Sequence, residues 1–374
     1  MRLLHGVVFL LIVGHSVAAV EYRGPDGISV DLPAGWAAFG EAKTNSFSFM
    51  NSSREAFLQV FRFTKNESMH LSEVFNLVKS SLDATGDHVP YTYSGLDAVF
   101  ASIEFAAAGA AVSGFAFSAR TDTADNVVIV YGPPSGLYRD ELLSALDSVA
   151  LSDDELTRPG PVSQFMLAEN ESNATANIEF GGFSSRFGVD SGEFEVAQLV
   201  VEREARILSS SAGEDIDTWK RFYRIVYRDA YSRFEQLGGE FASFAKELEP
   251  RDLAELLLNW VQSWEYTRTG TLADLLNPYE AALRESGDCD SRGLVYATML
   301  HYAGIESVLL ISSEYSHSVC AVDVDGTGAR IATEKGPQLI AEVTDGVPLG
   351  MIAAEQADPE GWIVVDLDGK RGPR

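Results

Sequence analysis

The sequence predicts an α+β protein of more than one domain, and three observations predict it. With 374 residues the chain exceeds the roughly 150 that one domain usually holds. Its first half reads as strands, helix, strands, helix, an order that lets strands pair antiparallel without crossovers. A break at 152–163, charged at Ser152-Asp153-Asp154-Glu155 and stopped by Pro159-Gly160-Pro161, then separates that half from the rest. Hydrophobic residues make up 46 %, enough for ordinary cores, which excludes global disorder. The 28 Lys+Arg stand against 55 Asp+Glu, a net charge of 28 − 55 = −27. That excess excludes nucleic acid as a partner, because phosphate binding needs clustered cations, and it disfavours an anionic membrane surface. With two cysteines, Cys289 and Cys320, there is neither a disulfide scaffold nor a multi-cysteine metal site.

The elements follow in order. Residues 1–19 read as a secretory signal: Arg2, a short apolar run from Leu3 to Val13, and small residues at Ser16-Val17-Ala18-Ala19. The run is too short to anchor in a bilayer, and no later segment approaches a membrane span. An extracytoplasmic protein, periplasmic or secreted, without a membrane anchor is therefore expected. Asn-x-Ser/Thr sequons occur at Asn51, Asn66, Asn170 and Asn173.

A sheet domain is expected over 25–151. Ile28 to Leu32 is a strand ended by Pro33, and Leu58 to Phe63 is rich in strand formers. Leu71, Val74, Phe75, Val78 and Leu82 recur at helical spacing. Strands are expected near 97–106, 112–120 and 126–131, then a helix carrying Leu142, Leu143, Leu146 and Val149. After the linker, 164–210 reads as β-rich, with strands near 176–183 and 194–203. Residues 211–374 follow as a helical lead-in and a further domain, with a core at about 255–366. One long helix is expected over 214–237, and a second carries Leu253, Leu256, Leu257, Trp260, Val261 and Trp264. Aromatic stripes of this kind are core rather than ligand box.

The segment that carries chemistry is Gly287-Asp288-Cys289-Asp290-Ser291-Arg292-Gly293-Leu294. An apolar helical pattern runs from Leu294 to Leu300, and Gly304 is placed to cap its C-terminus. Cys289 therefore sits in the first turn, where the unpaired N–H groups and the helix dipole favour a thiolate and could bind an oxyanion. Asp288 and Asp290 oppose that charge, so a cationic partner is needed. His301 is twelve residues along the same helix, about 18 Å away, and cannot reach. His317, just before or within a strand, can supply the imidazole of a nucleophile–base pair. Cys320 is three positions on, faces away from His317 in a regular strand, and reads as core. Asp323 has the right parity to orient His317 but lies too far along the strand. Glu342, near the end of the strand Leu339 to Thr344, is the choice for third member.

Two resemblances add to this reading. The run Ile28-Ser29-Val30-Asp31-Leu32-Pro33-Ala34-Gly35-Trp36 and the element order after it resemble the family that includes photosystem II oxygen-evolving subunit P and Mog1, which implies a docking module for a protein partner. In the second half, Trp260 to Tyr266, Asn277 to Leu283, Gly287-Asp288-Cys289-Asp290, Ala303-Gly304-Ile305 and His317 resemble, in order, bacterial transglutaminase-like cysteine proteins of papain-like fold. That resemblance implies Cys289 as nucleophile, His317 as base, Glu342 where the family usually has Asp, a protein or peptide substrate, and no cofactor. Water as the second substrate would make a peptidase or amidase and an amine would make a cross-linker; hydrolysis is favoured. The alternative is a non-catalytic binding protein that keeps the fold. Finally, Asp323-Val324-Asp325-Gly326-Thr327-Gly328 with Glu334 matches much of a calcium loop, but Arg330 stands where an apolar residue belongs and the flanks read as strands, so a turn explains it more simply.

Overall fold

The protein is described by a computed structural model over residues 20–24, 27–41, 43, 45–167, 174–210 and 215–367. The expected signal at 1–19 and the sequons at Asn170 and Asn173 lie outside these residues. The chain divides into two compact units, one from the first 153 residues with 160–168, the other from 154–159 and the remainder. Both are mixed α and β.

In the N-terminal unit β1 (Val20–Arg23) and β2 (Ser29–Leu32) pair with each other. A separate sheet contains β3 (Trp36–Ala38), β4 (Ser46–Asn51), β5 (Phe57–Thr64), β6 (His88–Tyr93), β7 (Leu96–Ala107), β8 (Ala110–Arg120) and β9 (Ala124–Gly132), in the spatial order β3-β4-β5-β9-β8-β7-β6. Every pairing is antiparallel. The central strand β9 is buried along its whole length, and its alternation sorts two cores. Val128 and Val130 face helix α2 (Arg139–Asp147) and helix α3 (Pro161–Leu167). Val127, Ile129 and Tyr131 face helix α1 (Leu71–Ser81). Strands β3, β4 and β6 were not anticipated. β3 has only three residues and β6 carries Pro90, whereas β4 does alternate, with Phe47 and Phe49 buried between Ser46 and Ser48, and so was an available signal. The sequon residue Asn51 is buried, its Oδ1 accepting from Ser53 Oγ and from the Glu55 and Ala56 amides, so it is not a glycan acceptor in the folded protein.

The C-terminal unit begins with a hairpin, β10 (Ala174–Phe180) and β11 (Phe183–Val189). Residues 194–203, expected as a strand, instead belong to helix α4 (Gly192–Ser210). Val196, Val200 and Val201 suggested a strand, but they recur at helical spacing and bury one face. The expected helix over 214–237 is also corrected. Helix α5 (Ile216–Tyr231) ends in a tight turn at Ser232–Phe234, and helix α6 (Glu235–Ala245) continues. Arg233 bonds both the carbonyl and the carboxylate of Asp229 at that turn, fixing a bend that no Pro or Gly announces. Helices α7 (Pro250–Gln262), α8 (Pro278–Arg284) and α9 (Cys289–Tyr302) follow.

A five-stranded antiparallel sheet closes the unit: β12 (Ser307–Ser312), β13 (His317–Val322), β14 (Arg330–Thr333), β15 (Gly336–Ala341) and β16 (Ile363–Asp366), ordered β14-β15-β13-β12-β16. Leu309, Cys320, Val322, Leu339 and Ala341 share a core with α9. Val308, Leu310, Val319, Ala321 and Ile340 pack on the opposite face with Trp362. Gly304, at φ +77°, ends α9 as expected. In the calcium-like loop the Arg330 guanidinium donates to the Val324 and Gly326 carbonyls and Arg251 donates to that of Asp325. These carbonyls are not the ligand oxygens of a calcium loop, and β14 pairs with β15 rather than with β13, so residues 323–329 connect two non-adjacent strands instead of forming the expected hairpin turn.

Helix α9 lies close to the sheet because Gly293 has no side chain: a Cβ there would stand 2.8 Å from Leu309 Cδ1 and 3.5 Å from Cys320 Sγ. Gly293→Val is expected to lower the stability of the C-terminal unit by about 2–3 kcal/mol through overpacking, read as a lower urea midpoint at unchanged slope.

Candidate active site

Local rules build the cysteine end of the site. Asn277 caps α8 by accepting from the Glu280 amide, with Pro278 at the first helical position. The helix stops at Glu285, which adopts a left-handed conformation at φ 49°, ψ 48°. Three residues later Asp288 caps α9, its Oδ1 accepting from the Ser291 amide at 2.9 Å and from Ser291 Oγ at 2.8 Å. Cys289 is thereby the first residue of α9 and is 8 % exposed. The approach segment is clamped by Arg292, which is 2 % exposed. Its Nε donates to the Gly287 carbonyl at 3.0 Å, its Nη2 to that of Trp264 at 2.8 Å, and its guanidinium lies 5.5 Å from the centre of the Tyr266 ring. Burial lowers the pKa of this guanidinium, against the nearby Tyr266, Asp288 and Cys289.

The histidine end is built by strand pairing. His317 opens β13, and β15 runs beside it with Cys320 opposite Ala341. Glu342 is the next residue, and this register sets its Oε2 2.7 Å from His317 Nε2. The other carboxylate oxygen accepts from the Thr344 amide at 2.7 Å and from Thr344 Oγ1 at 2.6 Å. With Nε2 bonded to Glu342, Nδ1 is the ring nitrogen left for Cys289, which lies near enough to act on the charge of His317. Trp362, 6 % exposed, walls the imidazole with ring centres 6.3 Å apart. The structure thus brings Cys289, His317 and Glu342 into one line of contacts.

Burial alone lowers the His317 pKa, but the hydrogen bonds and charges of Cys289 and Glu342 outweigh it and raise it to about 10. Burial pushes the Glu342 carboxyl up, yet His317 and Thr344 hold it below its usual range. The acids beside the cysteine behave oppositely. Burial, then Asp290, raises Asp288 to about 6. Burial raises Asp290 too, against the hydroxyls of Ser318 and Tyr223 and the charge of His317. Tyr223 on α5 donates to Asp290 Oδ1 at 3.0 Å.

Two groups lie apart, as their positions required. His301 sits at the far end of α9 with Nδ1 2.5 Å from Tyr227 Oη and Nε2 3.0 Å from Ser307 Oγ. Cys320 is fully buried, donates to the Gly293 carbonyl at 3.2 Å, and has its thiol pKa pushed up by burial. Both cysteines are free thiols. Arg292 and Tyr223 were missed in the sequence. An arginine three residues past the cysteine is an available signal for the first; nothing local points to the second, which comes from 67 residues away.

No protein-family model matches the chain, and no curated protein matches it. Solved structures overlap it loosely. The cyanobacterial PsbP protein of Synechocystis is 12 % identical and covers 38 % of this chain and 98 % of its own, at TM-score 0.30. A protein of Bacteroides thetaiotaomicron is 12 % identical over 58 % of this chain and 79 % of its own, at TM-score 0.27. LpqN of Mycobacterium tuberculosis, involved in cell envelope biogenesis, is 11 % identical over 34 % and 85 %, at TM-score 0.26. At these TM-scores the overlaps assign neither fold nor function.

Two expectations follow from the charges. The folded pKa of His317 lies above its ordinary 6.5, so its contribution to stability is full below about pH 6.5 and is lost as pH rises through about 10. The stability difference between wild type and His317→Gln should therefore shrink between pH 7 and 10, by on the order of a few kcal/mol, in denaturant titrations at each pH. For Asp288, a raised acid pKa means stability is lost as pH rises from 3.8 through about 6. Asp288→Asn keeps the cap acceptor and removes the charge, and should stabilise the unit at pH 7 by about 1–2 kcal/mol, with little change at pH 4.

Proposed function

We propose that the C-terminal unit is a papain-like, transglutaminase-like cysteine enzyme that attacks an amide carbonyl of a protein or peptide. The observation that carries this reading is the His317 ring, held by Glu342 Oε2 at 2.7 Å and near enough to Cys289 for the two to act on each other's charge. Cys289 as thiolate would add to the carbonyl carbon, with the N–H groups of the first turn of α9 available to the oxyanion. His317, charged in the resting pair, would pass its proton to the departing amine as the tetrahedral intermediate collapses to a thioester. Glu342 would hold the ring and support its charge. Water entering next, deprotonated by the now neutral His317, would add to the thioester carbonyl and expel Cys289, releasing the acid and restoring the thiolate with a charged His317.

We favour hydrolysis over transfer to an amine, in line with the resemblance to bacterial cysteine peptidases. The sequence of residues 1–19 supports an extracytoplasmic location, and among the described residues no helix is long and apolar enough to cross a membrane. The N-terminal sheet unit is proposed as a docking module for a protein partner. A rival reading, a binding protein that keeps the fold without turnover, draws on the two carboxylates crowding the cysteine.

Thiol reactivity separates these readings. With iodoacetamide at pH 6, Cys289 should label at least tenfold faster than a free thiol, and His317→Ala should remove that advantage. Glu342→Gln, which can still orient the ring but not charge it, should keep fast labelling at pH 6 and lose it at a lower alkaline pH than wild type. Labelling of Cys289 no faster than a free thiol at every pH would overturn the enzyme reading.

A further inference from the structure

A cavity of about 590 Å³ opens on the C-terminal unit, between the tip of the β10–β11 hairpin, helix α7 and the end of α8. Phe180 and Trp260 stack in its wall, with ring centres 4.2 Å apart and planes at 14°. Four carboxylates line it, Glu179, Asp252, Glu255 and Glu285, and its lining holds no Lys, Arg or His. Glu179, Asp252 and Glu285 are exposed. Trp260 Nε1 donates to Glu285 Oε1 at 3.0 Å, which ties the aromatic wall to the acidic rim. The arginines on the same segments are engaged elsewhere: Arg251 donates to the Asp325 carbonyl, and Arg284 pairs with Glu280.

The chemistry of this cavity selects its occupant. Four carboxylates with no cation among the lining residues disfavour an anionic ligand and attract a cationic one. Aromatic faces attract cations as well, and an aromatic wall under a charged rim suits a side chain with an apolar stem and a positive tip. Metal ions want converging oxygens rather than rings.

Its distance from the cysteine gives the cavity a role. Glu285 is four residues before Cys289, and four residues span at most about 14 Å. The segment between them is pinned: Glu265 N donates to the Glu285 carbonyl, and Gly287 N to that of Glu265. An extended peptide advances about 3.4 Å per residue, so roughly four substrate residues cover that span.

We propose that this cavity is a specificity subsite for a lysine or arginine side chain of the peptide substrate, within about four residues of the attacked amide. The proposal rests on the reading of Cys289 as nucleophile and names the substrate class for it. The subsite recognises the guanidinium or ammonium through Glu179, Asp252 and Glu285 and the stem through Phe180 and Trp260.

The test uses the full chain and chloroacetyl peptides carrying a lysine at one of the first four positions from the reactive group, each matched by a glutamate peptide. At one position at least, the lysine peptide should label Cys289 tenfold or more faster than its glutamate partner. The double variant Glu179→Gln/Asp252→Asn should cut that ratio at least threefold. Reading the ratio cancels any general change in thiol reactivity. Equal rates for lysine and glutamate at all four positions, or a ratio that survives the double variant, would overturn the subsite. If iodoacetamide shows Cys289 to be unreactive, the nucleophile reading fails by itself, and the cavity is then tested by calorimetry of the unreactive lysine peptide with Cys289→Ser protein. Saturable binding weakened by the double variant supports the cation site, and no binding overturns it.

Discussion

A half-buried imidazole held between Cys289 and the Glu342 carboxylate is the constraint on which the C-terminal unit depends. His317 is shielded by Trp362 and bonded to Glu342 at 2.7 Å, so its charge survives burial only while both partners stay in place. Removing one partner of a buried ion pair leaves an uncompensated charge, which costs about 3–5 kcal/mol. The surrounding fold meets that condition from two directions. Pairing of β13 with β15 delivers Glu342, and the close seating of α9 at Gly293 brings its first residue to the imidazole. The Thr344 bonds to the second oxygen of Glu342 then keep the carboxylate from turning away.

The cysteine end shows an opposing tension. Asp288 is needed as the cap that starts α9, yet its charge is buried beside a second, half-buried acid, Asp290. Arg292 and Tyr223 answer part of this excess, the first through the backbone of the approach segment and the second directly on Asp290. A site with this balance is locally acidic, in keeping with the net charge of −27. Acidity at the thiol, at the nearby cavity and over the whole chain points the same way: toward cationic groups and away from anionic ones.

Legibility in the sequence followed how local each feature was. Strands β5, β7, β8 and β9 and helices α1, α2 and α7 were readable because each carries its own period of apolar residues. Strands β3 and β6 are too short or too mixed to show one, whereas β4 does show one, at Phe47 and Phe49. Residues 194–203 misled because valines favour strands, whereas the buried face that decided the outcome repeats every three to four residues. The bend at 232–234 was invisible because Arg233 makes it by binding Asp229, not by any breaker in the chain.

The same division applies to the site. The sequence by itself placed Cys289 at or near the first turn of a helix, from Gly287 before it and the apolar pattern from Leu294 to Leu300 after it, and showed that His301 could not serve it. It also placed His317 just before or within a strand. Choosing Glu342 needed an assumption about which strand lay alongside, and only the tertiary structure decided that, through the register that sets Cys320 opposite Ala341. The clamp of Arg292 on Trp264 and Gly287, the Tyr223 bond to Asp290 and the aromatic cavity at Glu285 were likewise decided in three dimensions. Each joins segments far apart in the chain, and such contacts follow from packing and strand pairing rather than from any local pattern of residues.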